Sequence, residues 1–394
     1  VTAPEIIFFW VARMIMAGFE YRNEKPFSDV YFTGTVRDEL GRKMSKSLGN
    51  SPDLLNLIDK YGADAVRFGT IISSPAGNDL LFDVKEESTL KQGSFFVNKI
   101  WNALKLVKSW EARVKSSESG DRRQETEENF AVAWFENRLN EVKTDLEKMF
   151  AEFRLSEALK TIYSLIWDDF CSWYLEWVKP EFEKPIDKNV FEKTIEFFEE
   201  LMQLLHPFMP FVTEDVYHQL KERAEQDDIC IRKLKGIEAS KAILLQSGAL
   251  LKEIITGIRD ARNKNQIKPR ESIKLYIQTT KKEAYAAIKN ICARQVNAED
   301  ILFTEEAIPN SIAVVIEKDT FYIETEKKID TSFQKEQLQK DLDYQKGFLL
   351  SVEKKLSNER FVQNARPEVI ELEKKKKADA EAKIKAIEES LAAL

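Results

Sequence analysis

The sequence predicts a mainly α-helical protein with smaller α/β parts, divided into several domains. Its 394 residues are enough for two or three ordinary domains. Glycine and proline number only 13 and 11, which favours long helices. Apolar residues recur at helical spacing through most of the chain, whereas the alternation typical of strands is confined to two short regions.

The first predicted domain covers residues 1–83 and has α/β character. Its expected elements are, in order, a buried helix over 6–18, a strand within 29–36, a polar loop over 38–50, a helix begun by Ser51 and Pro52 and ended by Gly62, and a helix over 64–72. Proline is favoured at a first helical position because its missing N–H is not needed there, and glycine often follows a last turn.

The middle of the chain is predicted to be almost entirely helical. Residues 84–128 should form a connecting helix over 87–113 and a polar linker over 115–123, which contains no apolar residue. Residues 129–235 carry four helical patterns with wide apolar faces and short connections, which indicates an antiparallel bundle. These four helices are expected over 130–150, 155–178, 190–205 and 212–223.

Two further domains are predicted after the bundle. Residues 236–326 should form a small α+β unit, and residues 327–394 an antiparallel coiled-coil hairpin, because apolar residues follow a heptad seam on both sides of a break at 358–367. The elements expected in the small unit are helices over 244–263 and 281–296, strands over 273–277 and 301–303, and a hairpin of 312–316 with 320–323 that turns at Lys318 and Asp319.

Composition excludes several classes of protein. The formal net charge of -7 argues against a wholly basic nucleic-acid binder. Two histidines and three widely spaced cysteines leave little material for histidine catalysis or a metal site, so no protein-bound metal is predicted. Absence of a disulfide pattern fits the cytoplasm. Arg13 interrupts the apolar run 6–12 before it reaches membrane-spanning length, so no membrane partner is expected.

One motif in the polar loop points to chemistry. Residues 43–47 read Lys-Met-Ser-Lys-Ser, with Gly41 before them and Gly49 after them. Two lysines three residues apart in a mobile loop can close over a polyphosphate and stabilise the charge that moves during displacement. A generic loop of this composition is usually only a solvated surface loop, but the five-residue string favours nucleotide binding.

The string and its neighbours resemble the class I aminoacyl-tRNA synthetases, and among them the valyl-tRNA synthetases. The resemblance covers nearly the whole chain and is weakest over 225–325. The matching segments are 6–14, 29–38, 43–47, 60–68, 166–175, 205–211 and 355–362. It implies the end of a Rossmann-type catalytic domain over 1–83, an anticodon-binding bundle over 129–235 and a tRNA-binding arm over 327–394.

This resemblance also implies an activity and its residues. The family activates valine with ATP, with magnesium expected, and transfers valine to tRNA(Val). Lys43 and Lys46 would then be catalytic. The ATP-binding residues would be Lys43, Met44, Ser45, Lys46 and Ser47. Trp10 would wall the valine pocket, and Glu5 would face the ammonium group of valine, although the family usually reads Thr-Gly-Tyr-Asp where residues 2–5 read Thr-Ala-Pro-Glu.

Two parts of the family pattern are missing from this sequence. It contains no His-x-Gly-His string and nothing similar to an editing domain. Both parts are expected before Val1, so we interpret the chain as a C-terminal fragment that cannot aminoacylate alone. A monomer is expected.

Basic residues in two places are candidates for tRNA contact. One cluster lies at the end of a predicted helix, and the other on the arm, where residues 327–394 hold 15 Lys+Arg against 13 Asp+Glu. The candidates are Arg259, Arg262, Lys264, Lys268, Arg270, Lys374, Lys375, Lys376 and Lys377. Phosphate contacts of this kind hold a nucleic acid without reading its bases. Solvated helix faces would show the same composition.

Other interpretations stay open from the sequence. An isoleucyl- or leucyl-tRNA synthetase fragment would share the lysine motif and the helical anticodon domain, and a non-catalytic tRNA-binding module would share the bundle and the arm. Aromatic residues at 167, 170, 173, 174 and 177 would stack on anticodon bases or, more simply, form a helical core.

Overall fold

A computed structural model describes residues 1–394 except 75–76, 83–87, 116–121, 182, 326–330, 359–366 and 393–394. The chain divides into two compact units, Val1–Lys241 and Ala242–Leu394. Helices dominate the described residues of both units, and a four-stranded sheet lies in the second. Within the described residues, every helix is too short or too polar to cross a bilayer.

The first unit begins with short elements around a small parallel strand pair. They are a 3-10 turn at Pro4–Ile6, a π-helical turn at Ile7–Val11, helix α1 (Ala12–Arg22), strand β1 (Val36–Arg37), helices α2 (Leu54–Tyr61) and α3 (Ala63–Ile72), and strand β2 (Leu80–Leu81). Strand β1 pairs with β2 in parallel. Asp79 accepts a hydrogen bond from the N–H of Thr35 at 2.8 Å and contacts Arg37, which ties the two strands together.

Two expectations for this region are wrong in detail. Helix α2 is capped by Asp53, whose carboxylate accepts from the N–H of Leu55 at 3.0 Å, and the cap is therefore not Ser51. The helix predicted over 6–18 is present, but it is not buried. Phe8 is 80% exposed, and Val11 is the only buried residue of the two elements Ile7–Val11 and Ala12–Arg22, because no described segment covers their apolar face.

The remainder of this unit is a helical bundle. Its elements are α4 (Ser88–Glu111), β3 (Val114–Lys115), α5 (Arg122–Ala151), α6 (Leu155–Ser164), a π-helical stretch (Leu165–Tyr174), α7 (Leu175–Val178), β4 (Ile186–Asp187), α8 (Lys188–Leu205) and α9 (Pro210–Leu220). Helix α5 begins inside the predicted linker, of which residues 116–121 lie outside the described part. Strands β3 and β4, which the sequence did not predict, pair in parallel.

The bundle core is aromatic. Phe135 is fully buried, and its ring centroid lies 4.9 to 5.3 Å from those of Phe170, Tyr174 and Phe197. The aromatic spacing between 167 and 177 therefore describes mainly a buried helix face, as its simpler interpretation predicted: Phe170, Tyr174 and Trp177 are buried, whereas Trp167 and Trp173 are half-buried.

Helix α3 joins the lysine-motif region to the bundle. The carboxylate of Asp64 accepts from the N–H of Val212 at 2.6 Å, at the start of α9. Arg67 donates to the carbonyl oxygens of Pro207 and Phe208 at 3.1 and 3.0 Å. Gly93 lets α4 approach α3, because a Cβ there would lie 2.8 Å from the carbonyl oxygen of Ala65. These contacts fix the motif region on the bundle.

The second unit combines a four-stranded sheet with three long helices. Its elements are α10 (Ala242–Lys264), β5 (Ile273–Gln278), a 3-10 turn (Lys282–Tyr285), α11 (Lys289–Val296), β6 (Ala298–Thr304), β7 (Ile312–Ile316), β8 (Asp319–Glu324), α12 (Thr331–Leu356) and α13 (Pro367–Ala392). The strand order is β6-β5-β8-β7, with β5 and β6 parallel and the other pairs antiparallel.

Two predicted details of this unit are corrected. The hairpin turns at Glu317 and Lys318, because Ile316 pairs with Asp319 and Glu317 has a φ of 50°. The helix expected over 281–296 is divided between the 3-10 turn and α11. Helices α12 and α13 pack antiparallel: Lys377 pairs with Glu353 at 2.8 Å and Lys346 with Glu388 at 2.8 Å, while Leu342 packs against Ile387.

Candidate nucleotide loop and basic surfaces

The lysine loop, residues 38–50, lies between β1 and α2. In the middle of the loop, the N–H of Met44 donates to the carbonyl oxygen of Val36 in β1 at 3.2 Å. Gly41 and Gly49 have φ values of 73° and 63°, which favour glycine and allow the two reversals of the chain. Between them lies a 3-10 turn, Lys46–Leu48. Lys46 thus stands at the first position of that turn.

A buried carboxylate organises the first half of the loop. Asp38 is 6% exposed, and its Oδ1 accepts from the N–H groups of Leu40 and Arg42 at 3.1 and 2.8 Å. Its Oδ2 accepts from Nε of Arg42 at 2.8 Å and from Nδ2 of Asn50 at 2.9 Å. The hydrogen bonds from Asn50 and Arg42 hold the pKa of Asp38 far below its usual range, so the carboxylate is ionised at neutral pH.

The amide of Asn50 organises the second half. Its Oδ1 accepts from the N–H of Ser45 at 2.9 Å, and its Nδ2 donates to the carbonyl oxygen of Lys43 at 3.3 Å as well as to Asp38. Oγ of Ser45 in turn accepts from the N–H of Leu48 at 3.3 Å. Asp38 and Asn50 therefore bind each other and, between them, the backbone on both sides of Lys43.

The structure brings together two residues that the sequence assigned to different segments. Nζ of Lys43 contacts the carboxylate of Glu5. Trp10 lines a nearby cavity of about 470 Å³ together with Ile6, Val11 and Met14. A cationic loop, a carboxylate and an apolar cavity with an aromatic wall thus belong to the same part of this unit, an arrangement suited to a small zwitterion with an apolar side chain beside a polyphosphate.

The predicted basic cluster near the end of α10 separates into two kinds of residue. Lys264, Lys268 and Arg270 are exposed, as is Arg259, which donates to Oε1 and the carbonyl oxygen of Gln295. Arg262 is different. It is 3% exposed and donates to the carbonyl oxygens of Val296 and Lys268, both at 2.6 Å, and also to that of Glu271. Because its guanidinium is enclosed by backbone, Arg262 is a structural residue and is not retained as a tRNA contact.

This distinction predicts opposite results for two substitutions on one helix. R262M removes three hydrogen bonds to backbone carbonyl groups, of which the one to Val296 is buried, so we expect it to lower the free energy of unfolding of the second unit by roughly 2 to 4 kcal/mol. K264M, at an exposed position, should change that free energy by less than about 0.5 kcal/mol. Urea unfolding followed by circular dichroism measures both. Equal stability of the two variants would contradict the structural role of Arg262.

The four lysines of the arm also differ from one another. Lys374 and Lys375 are exposed on α13. Lys376 pairs with Glu373 at 2.7 Å, and Lys377 pairs with Glu353 across the helix pair. Among the described residues, no ion pair involves the ammonium group of Lys374 or that of Lys375.

Asp38 and Asn50 are the site residues that sequence reasoning missed. The signal was available in the positions of a carboxylate and an amide at the two ends of the loop, but their side-chain contacts depend on how the loop closes. A second cluster was also missed: Glu214, His218 and Asp228 lie with one potential ligand atom each within 4.8 Å of one another. His218 forms hydrogen bonds with both carboxylates, and Glu214 also accepts from the N–H of Ile229, so hydrogen bonding accounts for this partly exposed cluster.

Models of three known families match the chain. The model described as tRNA synthetases class I (I, L, M and V) matches residues 1–83. The anticodon-binding domain of tRNA ligase matches residues 133–277, and the valyl tRNA synthetase tRNA binding arm matches residues 330–394. The three matches follow one another in the order of the three segments on which the sequence resemblance rested.

Similar proteins match over the whole chain. The valine–tRNA ligase of Parabacteroides distasonis is 46% identical over 396 residues, and that of Christiangramia forsetii is 43% identical over 394 residues. Each comparison covers 100% of this chain and 44% of the relative. The chain therefore spans less than half the length of these relatives. A solved LeuRS–tRNA–LeuAMS complex from Agrobacterium radiobacter matches 59% of this chain and 27% of its own, with 18% identity and a TM-score of 0.40, and is too distant to support an argument.

Proposed function

Because the chain belongs to the valine–tRNA ligase family, we propose that it is the C-terminal portion of an enzyme that activates valine with ATP and transfers it to tRNA(Val). The relatives match this chain from end to end, which disfavours an isoleucyl or leucyl enzyme and a non-catalytic module. The geometric observation that supports the proposal most directly is the contact of Lys43 with Glu5. It joins the two segments to which ATP and valine were assigned.

The proposed parts follow the predicted domain boundaries. Residues 1–83 would end a class I catalytic domain, residues 129–235 would bind the anticodon, and residues 327–394 would form a coiled-coil arm on the tRNA. Residues 84–128 and 236–326 would connect these parts. The antiparallel packing of α12 on α13 supports the arm, and the contacts of α3 with the start of α9 support a firm connection between the first two parts.

In the proposed reaction, the carboxylate of valine attacks the α-phosphorus of ATP, and pyrophosphate leaves. Lys43 and Lys46 would stabilise the negative charge that accumulates on the leaving phosphates. Glu5 would attract the ammonium group of valine, and Trp10 would pack against its apolar side chain. The 3′-terminal hydroxyl of tRNA(Val) then attacks the carbonyl carbon of the adenylate, releasing AMP.

The carboxylates of Asp38 and Glu5, which lie at the lysine loop, are already engaged and are poor candidates for holding the magnesium expected with ATP. Asp38 already accepts four hydrogen bonds, and Glu5 contacts Lys43. Magnesium prefers oxygen ligands in octahedral geometry and commonly enters with phosphates. We therefore propose that any magnesium reaches this part of the site as part of the ATP substrate.

The proposal is tested with the full-length protein that carries this chain. Purified enzyme should catalyse ATP–pyrophosphate exchange that depends on valine, with isoleucine as the matched amino-acid control, and should charge tRNA(Val). The chain 1–394 alone should bind tRNA(Val) in a filter assay and should show no ATP–pyrophosphate exchange. Sedimentation should show that it is a monomer. Exchange that prefers isoleucine, or the absence of any amino-acid-dependent exchange by the full-length protein, would contradict the proposed function.

The arm is tested by comparing its exposed and paired lysines. Replacing Lys374 and Lys375 together by alanine should weaken binding of tRNA(Val) and flatten the slope of log K against log salt concentration by about 1 to 2, because up to two phosphate contacts are lost. K377A is the matched control, since that lysine is already paired with Glu353. Filter binding between about 50 and 200 mM salt provides the slopes. An unchanged slope in the double variant would rule out the arm contact.

A further inference from the structure

We propose that Asp38 and Asn50 act as a clip that positions the lysine loop for ATP, so that the two are positioning residues for the proposed activation reaction. The inference rests on the proposed function and adds residues to it. It begins from one juxtaposition: a buried carboxylate and an amide at opposite ends of residues 38–50 bond each other at 2.9 Å.

The clip holds the backbone on both sides of Lys43. On one side, Asp38 accepts from the N–H of Arg42 at 2.8 Å. On the other, Asn50 accepts from the N–H of Ser45 at 2.9 Å and donates to the carbonyl oxygen of Lys43 itself. Because the clip binds the N–H of Arg42, the carbonyl oxygen of Lys43 and the N–H of Ser45, the backbone from which the Lys43 side chain extends has little freedom to move.

Backbone hydrogen bonds restrain this part of the loop together with the clip: the N–H of Met44 donates to the carbonyl oxygen of Val36 at 3.2 Å, and the N–H of Asp38 to that of Arg42 at 2.9 Å. Met44 and Ser45 are half-buried, whereas Lys43, Ser47 and Leu48 are exposed, so apolar packing contributes little. Ordering one backbone residue costs about 1 to 2 kcal/mol of conformational entropy. Hydrogen bonds to a carboxylate that is 6% exposed are stronger than bonds in water and can offset that cost. The clip therefore adds side-chain hydrogen bonds to the backbone bonds that preorganise the loop.

Arg42 also neutralises the negative charge of Asp38. Asp38 forms an ion pair with Arg42 at 2.7 Å, besides its bonds to backbone and Asn50. With its oxygens occupied, this carboxylate does not compete with phosphate for the ammonium group of Lys43. Arg42 is the cation that pairs with Asp38 and holds the loop. Lys43 does not pair with Asp38, and it is the cation that we propose meets ATP.

The experiment uses the full-length enzyme and variants with a built-in rescue. N50A removes both functions of the amide, and N50D places a second carboxylate against Asp38. The double variant D38N/N50D restores one donor and one carboxylate at the clip, although it loses the bond to Arg42. D53A is the matched control, because Asp53 also binds a backbone N–H beside the loop but caps α2 and takes no part in the clip.

Two readouts separate positioning from general stability. N50A and N50D should lower kcat/KM for ATP in valine-dependent exchange by about 10- to 100-fold, with the KM for valine within about twofold, because small displacements of catalytic groups have effects of this size. The double variant should recover part of the loss relative to N50D, and D53A should retain nearly full activity. ATP parameters within twofold of the wild type in N50A would overturn the clip.

Hydrogen exchange of the same proteins, with and without ATP, keeps this test independent of the reaction. Peptides covering 43–50 should exchange faster in N50A than in the wild type or D53A, at an unchanged melting temperature. If the wild type shows no valine-dependent exchange of pyrophosphate, the proposed function fails, while the amide exchange of 43–50 still decides the clip: equal rates in N50A and the wild type would overturn it.

Discussion

Replacement of Lys43 by alanine is expected to lower kcat for valine-dependent ATP–pyrophosphate exchange by about 100-fold in the full-length enzyme. The ammonium group lies on an exposed loop beside Glu5, and the clip fixes the peptide groups around it. Removing one preorganised donor that meets transition-state charge typically reduces kcat by about 10² to 10³. Because valine would be bound by other residues, its KM should change much less.

Two further variants show whether position or charge alone matters. K43R keeps the positive charge but replaces a compact ammonium by a planar guanidinium, so we expect only partial activity. K60A removes an exposed lysine of α2 outside the loop and should leave kcat within about twofold. A reduction of less than about threefold in K43A would contradict a catalytic role for Lys43.

The largest expected effect on stability comes from an ion pair inside the bundle. Lys143 on α5 and Glu200 on α8 are 5% and 7% exposed and pair with each other, and Lys143 also donates to the carbonyl oxygen of Gly236 at 3.1 Å. K143M would leave the Glu200 carboxylate buried without its partner. Such a change typically costs roughly 3 to 5 kcal/mol, and we expect a loss of that size in the free energy of unfolding.

The double variant K143M/E200L tests the reason for that loss. Replacing both members of a buried pair by apolar groups of similar volume is often neutral, because the desolvation penalty disappears with the attraction. We therefore expect the double variant to recover most of the stability, as measured by urea unfolding. A double variant as unstable as K143M would show that the loss arises from packing around Lys143 and not from the isolated carboxylate.

Most helices could be predicted from the sequence, and most corrections concern their ends and their surroundings. Apolar periodicity is a local property, and it predicted α3, α8 and α10 to within two residues. Burial of the helix over 6–18 could not be predicted correctly, because an apolar face is buried only where another segment covers it. The hairpin turn moved by one residue because strand register depends on the pairing partner.

The chemistry of the candidate site could be predicted from the sequence, but the contacts that position its residues could not. A rare five-residue string identified Lys43 and Lys46, and resemblance added Glu5 and Trp10. The contact of Lys43 with Glu5 joins residues 38 positions apart, and the clip joins residues 12 positions apart. No local pattern records contacts of that kind, because they depend on the path of the chain between the partners.

The sequence by itself determined the helical class of the fold, the lysine motif and the family. Only the tertiary structure decided which of several similar side chains bind other residues of the chain and which face the solvent. Arg262 and Arg270 are both arginines near the end of α10, yet Arg262 binds a carbonyl group 34 residues away and Arg270 is exposed. Amino-acid type fixes what a side chain can bind, whereas burial and long-range partners determine what it does bind.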